Sequence, residues 1–167
     1  MAEIRRACPA EWEQYRKIRL TALSDAPYAF SSTFDRERAL PPERWQRRLE
    51  SAGTFLAWDD GRPVGTATGV PDDPDDPYHV PGAWQLVAMW VEPGKRGSGV
   101  AAGLVDAVAA HVLAAGATIL VLWVTEANDR ARAFYERRGF ARTGARQLVR
   151  DDEPGRFELQ MRRDLTG

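Results

Sequence analysis

The sequence predicts an α/β fold in which a mixed central sheet of about seven strands is flanked by helices. Segments of strand and helix character follow one another in the order β-α-α-α-β-β-β-α-β-α-β-β. Strands that adjoin through tight turns predict an antiparallel part, and the strand-helix-strand run over 83–124 predicts a right-handed parallel crossover. A length of 167 residues suits one domain, so 1–167 is expected to fold as a single unit.

The first half of the chain is predicted to place three helices between its first two strands. Pro9 stands where helices favour proline, at the first helical position. Pro41 and Pro42 separate the second helix from the third. The predicted elements are a strand at 3–6, a helix of about 15 residues from Pro9, helices at 31–40 and 42–50, and strands at 54–58 and 63–70 joined by an Asp-Asp-Gly-Arg turn.

The second half begins with a proline-rich loop over 71–82. The run AWQLVAMWV at 83–91 has few polar positions, which predicts a central strand buried on both faces. The later predicted elements are a helix from Val100 to about 115, a strand at 118–124, a helix at 128–138, and strands at 140–149 and 156–163.

Composition excludes several classes of protein. The net charge is −1 and the pI about 6.2, so no global field recruits nucleic acid or a membrane. The single cysteine, Cys8, excludes an internal disulfide and a cysteine-rich metal site, and two histidines leave little for any other metal centre. No apolar run approaches 18 residues and the N-terminus lacks a signal-peptide core, so a soluble cytoplasmic protein is expected. Of 23 basic residues 21 are arginine, and genome composition and a functional role both stay open as the reason for this excess.

The turn over 92–99 connects a predicted strand to a predicted helix and has the character of an anion site. Gly97 and Gly99 allow the backbone conformations that bring main-chain N–H groups close to a ligand. The following helix adds unpaired N–H groups and the positive end of its dipole, while Lys95 and Arg96 add charge. The sequence therefore predicts phosphate binding here, with a solvated basic turn as the alternative.

Two phosphate-binding motifs compete for this turn. A Walker A loop is excluded, because Met89 stands where glycine is needed and no Ser or Thr follows Lys95. A dinucleotide fingerprint G-x-G-x-x-A fits 97–102, with Glu126 as a ribose ligand, but 92–96 separate it from the strand. A nucleotide-dependent oxidoreductase therefore stays open as an alternative.

A third interpretation of this turn is supported by a separate motif further along the chain. Arg96-Gly97-Ser98-Gly99-Val100-Ala101 matches the acetyl-CoA motif of the Gcn5-related N-acetyltransferase (GNAT) superfamily, and the run NDRARAFYERRGF at 128–140 matches that superfamily's second signature. The second match rests on Asn128, Ala131, Phe134, Tyr135, Gly139 and Phe140. The chain thus resembles a GNAT protein over nearly its whole length, least so in residues 9–50.

The resemblance implies a GNAT-like acyl-CoA N-acyltransferase fold and direct transfer of an acetyl group from acetyl-CoA to a primary amine, without a metal. It implies that the pantetheine arm of acetyl-CoA lies between the splayed strands 83–91 and 118–124. It assigns Tyr135 as general acid, with an oxyanion donor in the backbone near Met89. The implied cofactor-binding residues are Met89, Val91, Arg96, Gly97, Ser98, Gly99, Val100, Ala101, Ala102, Asn128 and Tyr135.

A general base is harder to assign. Many GNAT proteins place a glutamate on the central strand, whereas Gln85 is the only strongly polar residue of 83–91 here. Asp35, Glu37 and the Asp72–Asp76 loop are candidates, although each is expected to be a solvated charge. The base therefore stays unassigned.

Charge distribution bears on the acceptor. Residues 63–94 carry five acids and no lysine or arginine before Gly94, whereas 127–150 carry seven arginines against two acids. An acidic rim favours a cationic small-molecule amine, and a basic side favours CoA phosphates. The alternatives are acetylation of protein N-termini or lysines, and a non-catalytic CoA-binding domain. Neither nucleic acid nor membrane is an expected partner, and nothing in the sequence specifies or excludes a homodimer.

Overall fold

The protein, described by a computed structural model over residues 2–167, contains one seven-stranded mixed sheet and five helices. The predicted order of elements is confirmed. The strands are β1 (Glu3–Arg6), β2 (Gly53–Asp59), β3 (Arg62–Pro71), β4 (Ala83–Val91), β5 (Ile119–Thr125), β6 (Ala141–Leu148) and β7 (Phe157–Asp164). The helices are α1 (Trp12–Asp25), α2 (Phe34–Arg38), α3 (Pro42–Ser51), α4 (Val100–Ala114) and α5 (Asp129–Arg137).

The strands lie in the order β1-β2-β3-β4-β5-β7-β6. The pair β4–β5 is parallel and connects through α4, while the other five neighbouring pairs are antiparallel. The α/β class, the mixed sheet and the parallel crossover are therefore as predicted. Within residues 2–167 no helix combines the length and apolar character needed to cross a bilayer.

The two parallel strands separate partway along their length. Their pairing stops at Gln85 and Val121, although β4 continues to Val91 and β5 to Thr125. On its other side β4 bulges, since the register against β3 jumps from Trp90 to Val87. Inside the bulge Ala88 has φ +56°, in the left-handed region that a residue with a Cβ seldom adopts. The bulge increases the local twist of β4, and a V-shaped gap opens between the two strands.

The expectation that 83–91 is buried on both faces is wrong for the middle of the strand. Five of its nine residues are only partly buried, and four of these line the clefts beside the gap: Gln85, Val87, Ala88 and Met89. The apolar composition of the strand gives no signal of this, since the same residues suit a cleft wall and a core.

Helices cover both faces of the sheet. One face packs against α4 and α5, and every apolar position predicted along α4 is buried: Val100, Leu104, Val105, Val108 and Val112. The other face packs against α1 and α3 through a cluster that includes the fully buried Trp45.

The predicted helix at 31–40 is much shorter in the structure. Thr33 caps α2, its hydroxyl accepting a hydrogen bond from the Arg36 N–H at 3.3 Å, so the helix begins at Phe34. Before α2, Pro27–Ala29 form a single 3₁₀ turn. Likewise Pro9–Glu11 form a 3₁₀ turn and α1 begins at Trp12. Residues 30–33, between the Pro27–Ala29 turn and α2, are not helical.

Candidate active site

Two clefts flank the gap between β4 and β5. The first, here the α4 cleft, has a volume of about 530 Å³ and lies beside the N-terminus of α4. The second, here the α1 cleft, has a volume of about 560 Å³ and lies between the sheet and α1–α3. Ala29 and Phe30 line both, so the 3₁₀ segment and the bulged strand form the boundary between them.

The turn before α4 presents free main-chain donors to the α4 cleft. Gly97 and Gly99 have φ of +80° and +91°, which turns the backbone so that the helix starts at Val100. Among residues 2–167, no backbone oxygen accepts a hydrogen bond from the N–H groups of Gly97, Gly99, Val100, Ala101 or Ala102. Such a row of donors at a helix N-terminus is a ready anion site.

Not every residue of this motif reaches the cleft. Val100 is buried against the core, and Ser98 turns its hydroxyl onto the Lys95 carbonyl. The Ser98 N–H is also engaged, at 3.3 Å from that carbonyl. The predicted residues that line the α4 cleft are Met89, Val91, Arg96, Gly97, Gly99, Ala101, Ala102, Asn128 and Tyr135.

Three arginines and no carboxylate line the α4 cleft: Arg96, Arg130 and Arg137. Arg96 is held in place, because its Nε donates to the Val91 carbonyl at 2.9 Å and its terminal nitrogen to Asp25 at 3.0 Å. Asp25 accepts a second hydrogen bond from the Trp90 indole at 3.0 Å, which joins the end of α1 to β4. Arg130 and Arg137 form no ion pair within residues 2–167, so the cleft keeps a net positive charge suited to phosphate.

Tyr135 and Asn128 enter the cleft from α5. Asn128 caps the helix, its side-chain oxygen accepting from the Ala131 N–H at 3.1 Å. The Tyr135 ring packs edge-on against Phe134 and Phe140. Burial raises the pKa of the Tyr135 hydroxyl well above its usual range, so the phenol keeps its proton at neutral pH.

The α1 cleft contains a buried ion cluster. Arg19 binds Glu37 with two hydrogen bonds, at 3.1 and 2.8 Å, and Arg48 binds the same carboxylate at 2.6 Å. Burial alone raises the pKa of Glu37, but the hydrogen bonds from the two arginines outweigh it and hold this pKa below its usual value. Glu37 is therefore not the solvated charge expected from the sequence.

The acidic loop also differs from expectation. Asp72 is buried, and it accepts hydrogen bonds from the Gln85 side chain at 2.5 Å, the Val80 N–H at 2.7 Å and His79 at 3.0 Å. It fixes the 72–82 loop against β4 and is no part of a charged rim. Of the loop acids, Asp76 lines the α1 cleft.

A carboxylate that the sequence analysis did not single out also lines the α1 cleft. Glu158 of β7 lies partly buried, and Gln147 of β6 donates to its Oε1 at 2.9 Å. Burial raises the pKa of Glu158, and the hydrogen bond from Gln147 only partly opposes this. No local motif marks Glu158, because it reaches the cleft only when β7 inserts beside β5.

Comparisons with known proteins define the class. The acetyltransferase (GNAT) family matches residues 9–140. The chain is 32% identical over 122 residues to the mycothiol acetyltransferase of Geodermatophilus obscurus, a match that covers 72% of this chain and 38% of that relative. The chain thus spans well under half of the curated relative that it matches.

Solved structures agree in fold. A GNAT acetyltransferase from Streptococcus pneumoniae superposes with a TM-score of 0.81 at 20% identity, covering 99% of each chain. The Salmonella typhimurium yncA structure with its cofactor acetyl-CoA superposes with a TM-score of 0.80 at 16% identity, covering 100% of this chain and 95% of that one. This chain belongs to the GNAT acetyltransferase family.

Proposed function

We propose that this protein is an acetyl-CoA-dependent N-acetyltransferase that moves an acetyl group to the primary amine of a small, cationic molecule. The observation that carries the proposal is the gap between β4 and β5, which joins a cleft suited to phosphates to a second cleft lined by three carboxylates and two arginines. Family membership supports the same chemistry.

The α4 cleft fits CoA in three respects. The free N–H groups of 97–102 suit its pyrophosphate, and Arg96, Arg130 and Arg137 supply compensating charge. Beyond Gln85 the edge of β4 that faces β5 has no strand partner among the described residues, so its main chain can bind an extended pantetheine arm as a sheet binds an added strand. When bound, acetyl-CoA would supply the thioester whose carbonyl carbon is attacked by the acceptor amine.

Two groups of this chain have roles in the transfer itself. A backbone N–H near Met89, in the bulge of β4, stabilises the oxyanion formed on attack. Tyr135, which lines the α4 cleft, donates a proton to the departing sulfur. A thiol has a pKa near 8.5, so this proton transfer needs only modest assistance.

The α1 cleft favours a small acceptor. Its volume of about 560 Å³ lies within the range of small-molecule sites. Asp76 and Glu158 offer negative charge to an ammonium group on one side of this cleft.

Thermal shift followed by an activity assay tests the proposal. Acetyl-CoA and CoA are expected to raise the melting temperature, since a ligand that binds only the native state stabilises it, whereas NAD and NADP should not. Release of CoA thiol is then measured with spermidine, kanamycin and a basic tetrapeptide. Stabilisation by NADP without stabilisation by acetyl-CoA would overturn the proposal, and turnover of the peptide alone would favour a protein acetyltransferase.

A further inference from the structure

We propose that Glu158 is the general base that removes the proton of the acceptor amine, with Gln147 as its positioning residue. This inference rests on the proposed function and supplies the group that β4 lacks. Four observations lead to it: the position of Glu158 beside the gap, its orientation, the commitments of the other acids, and its surroundings.

Glu158 lies close to the gap between β4 and β5. Glu158 lies opposite Thr125, the last residue of β5, in the antiparallel pair β5–β7. Neighbouring strands are about 4.8 Å apart, so Glu158 is one strand away from the gap. It lines the α1 cleft together with Ala88 of the bulge and Trp123 of β5. An amine that enters this cleft toward the gap therefore passes the Glu158 carboxylate.

One hydrogen bond orients the Glu158 carboxylate. The Gln147 amide donates to Oε1 of Glu158 at 2.9 Å, which fixes the plane of the carboxylate. Within residues 2–167 no other side chain or main-chain group donates to Glu158, so Oε2 is free to accept a proton from an amine or from one bridging water.

Most of the other candidate acids are committed to other contacts. Glu37 is bound by two arginines, and Asp72 accepts three hydrogen bonds from its own loop and β4. Asp35 is exposed on α2 and pairs with Arg38 at 3.3 Å. Asp76 accepts from the Tyr78 N–H at 2.7 Å in a surface turn. Asp76 shares with Glu158 a place in the cleft wall, partial burial and one oxygen that accepts no hydrogen bond within residues 2–167, but it lies in the 72–82 loop, whereas Glu158 lies on the strand next to β5.

The surroundings of Glu158 bring its basicity closer to that of an amine. Burial raises the pKa of the carboxyl first of all, Asp76 of the 72–82 loop raises it further, and Gln147 and Arg156 lower it. Across the cleft the charged or titratable groups are Tyr15 and Arg19 of α1, Glu37 of α2 and Arg48 of α3. A base of raised pKa takes a proton from an ammonium group more readily than an ordinary glutamate.

The protons balance in this scheme. Glu158 takes one proton from the ammonium and leaves a neutral amine, whose nitrogen bonds to the thioester carbonyl carbon. That nitrogen loses a second proton as the carbon–sulfur bond breaks. Tyr135 gives its proton to the sulfur, and the second proton from the nitrogen then restores the Tyr135 hydroxyl. The proton held by Glu158 passes to solvent, so each turnover yields an amide, a thiol and one proton.

The test compares Glu158→Gln with Asp164→Asn as a matched control on the exposed far end of β7. Glu158→Gln keeps the size of the side chain and is expected to lower kcat about 10²- to 10⁴-fold. Acetyl-CoA affinity and melting temperature should stay unchanged, and the acidic limb of the kcat–pH profile should disappear. Asp164→Asn should match the wild type. The assays use whichever of spermidine, kanamycin and the basic tetrapeptide is acetylated fastest. A parallel assay without an acceptor measures hydrolysis of acetyl-CoA by water.

Two further measurements complement this comparison: the first requires no turnover, and the second uses a different variant. In ¹³C-glutamate NMR of the acetyl-CoA-free protein, the carboxyl resonance missing from Glu158→Gln should titrate above the ordinary glutamate range. Gln147→Leu removes a donor that stabilises the carboxylate, so the acidic limb should move to higher pH while acetyl-CoA affinity is unchanged.

The outcomes separate this inference from the proposed function. Failure of acetyl-CoA to stabilise the wild type would count against the proposed function itself. Binding of acetyl-CoA without thiol release in any assay would overturn the base and favour a CoA-binding domain. Wild-type kcat and an unaltered acidic limb in Glu158→Gln would overturn the base while leaving the acetyltransferase in place.

Discussion

At the scale of single residues, Tyr135 combines a buried ring with a hydroxyl that stays protonated. We predict that Tyr135→Phe lowers kcat by about 10²-fold, the lower end of the range for general acid–base catalysis, because sulfur needs only modest help to leave. The phenylalanine ring preserves the edge-on packing with Phe134 and Phe140. Steady-state kinetics and acetyl-CoA titration check this. Unchanged kcat with weaker acetyl-CoA binding would assign the hydroxyl to binding instead.

Glu37 should matter to stability rather than to proton transfer. Glu37→Gln leaves Arg19 and Arg48 without their carboxylate, and we expect a loss of about 3 kcal/mol at pH 7. The pKa of Glu37 is lowered in the native state, so its contribution is present above the unfolded value of about 4.3 and is lost as pH falls through the native pKa.

Denaturant unfolding at pH 7 and at pH 3 measures this difference. The gap between wild type and Glu37→Gln should shrink at the lower pH. Asp35→Asn, which alters an exposed pair on the same helix, should unfold like the wild type at both. A loss that is equal at both pH values would contradict the electrostatic explanation.

The site residues that the sequence can predict are those whose proposed roles are local. Tyr135, Asn128 and the turn at 96–102 belong to contiguous motifs in which the spacing itself carries the information. Glu158 and Glu37 could not be placed, because each depends on contacts with elements distant in sequence. Asp72 was misjudged as a rim charge, since only the fold brings Gln85 within hydrogen-bonding distance of it.

At the scale of elements, the turn before α4 depends on the left-handed conformation of Gly99, and the anion site proposed there depends on it too. We predict that Gly99→Ala destabilises the protein by about 1–2 kcal/mol and weakens acetyl-CoA binding. An added Cβ meets no atom within 4 Å, so the effect comes from the backbone. Calorimetric unfolding and titration with acetyl-CoA measure the two effects.

Gly144 provides the matched control for this element. It has φ +95°, its added Cβ also has open space, and it lies in β6 away from the α4 cleft. Gly144→Ala should therefore cost similar stability and leave acetyl-CoA affinity unchanged. Equal weakening of acetyl-CoA binding in both variants would show that the turn acts only through global stability.

Most elements follow from periodicity and turn chemistry, and the parallel crossover follows from chirality. The separation of β4 from β5 does not, because a bulge at Ala88 carries no glycine or proline to mark it. The short α2 was missed for a related reason. Its start depends on the Thr33 cap, which competes with helix formation across 31–33.

At the scale of the whole molecule, three arginines line the α4 cleft although the net charge of the chain is only −1. We predict that acetyl-CoA affinity falls as salt rises, because the screening length decreases from about 10 Å at 0.1 M to about 3 Å at 1 M. If Arg96, Arg130 and Arg137 each lose about 0.5 kcal/mol, Kd rises about tenfold. Calorimetric titration at several salt concentrations measures this.

Acetyl-pantetheine is the control ligand, since it keeps the thioester and lacks the charge of the nucleotide end of CoA. Its binding should respond weakly to salt. An equal response for both ligands would mean that salt acts on the protein rather than on phosphate recognition.

The gap in the sheet has a consequence for how the protein avoids aggregation. Free strand edges usually lie at the rim of a sheet, where they can pair with a neighbouring molecule. Here unpaired edges of β4 and β5 lie in the interior of the sheet, between α1–α3 on one face and α4–α5 on the other. A narrow, flexible ligand can enter there, while a polypeptide strand carrying side chains on both faces meets helices. Unpaired main-chain N–H and C=O groups can therefore stay available to bind a ligand without pairing with the strands of other proteins.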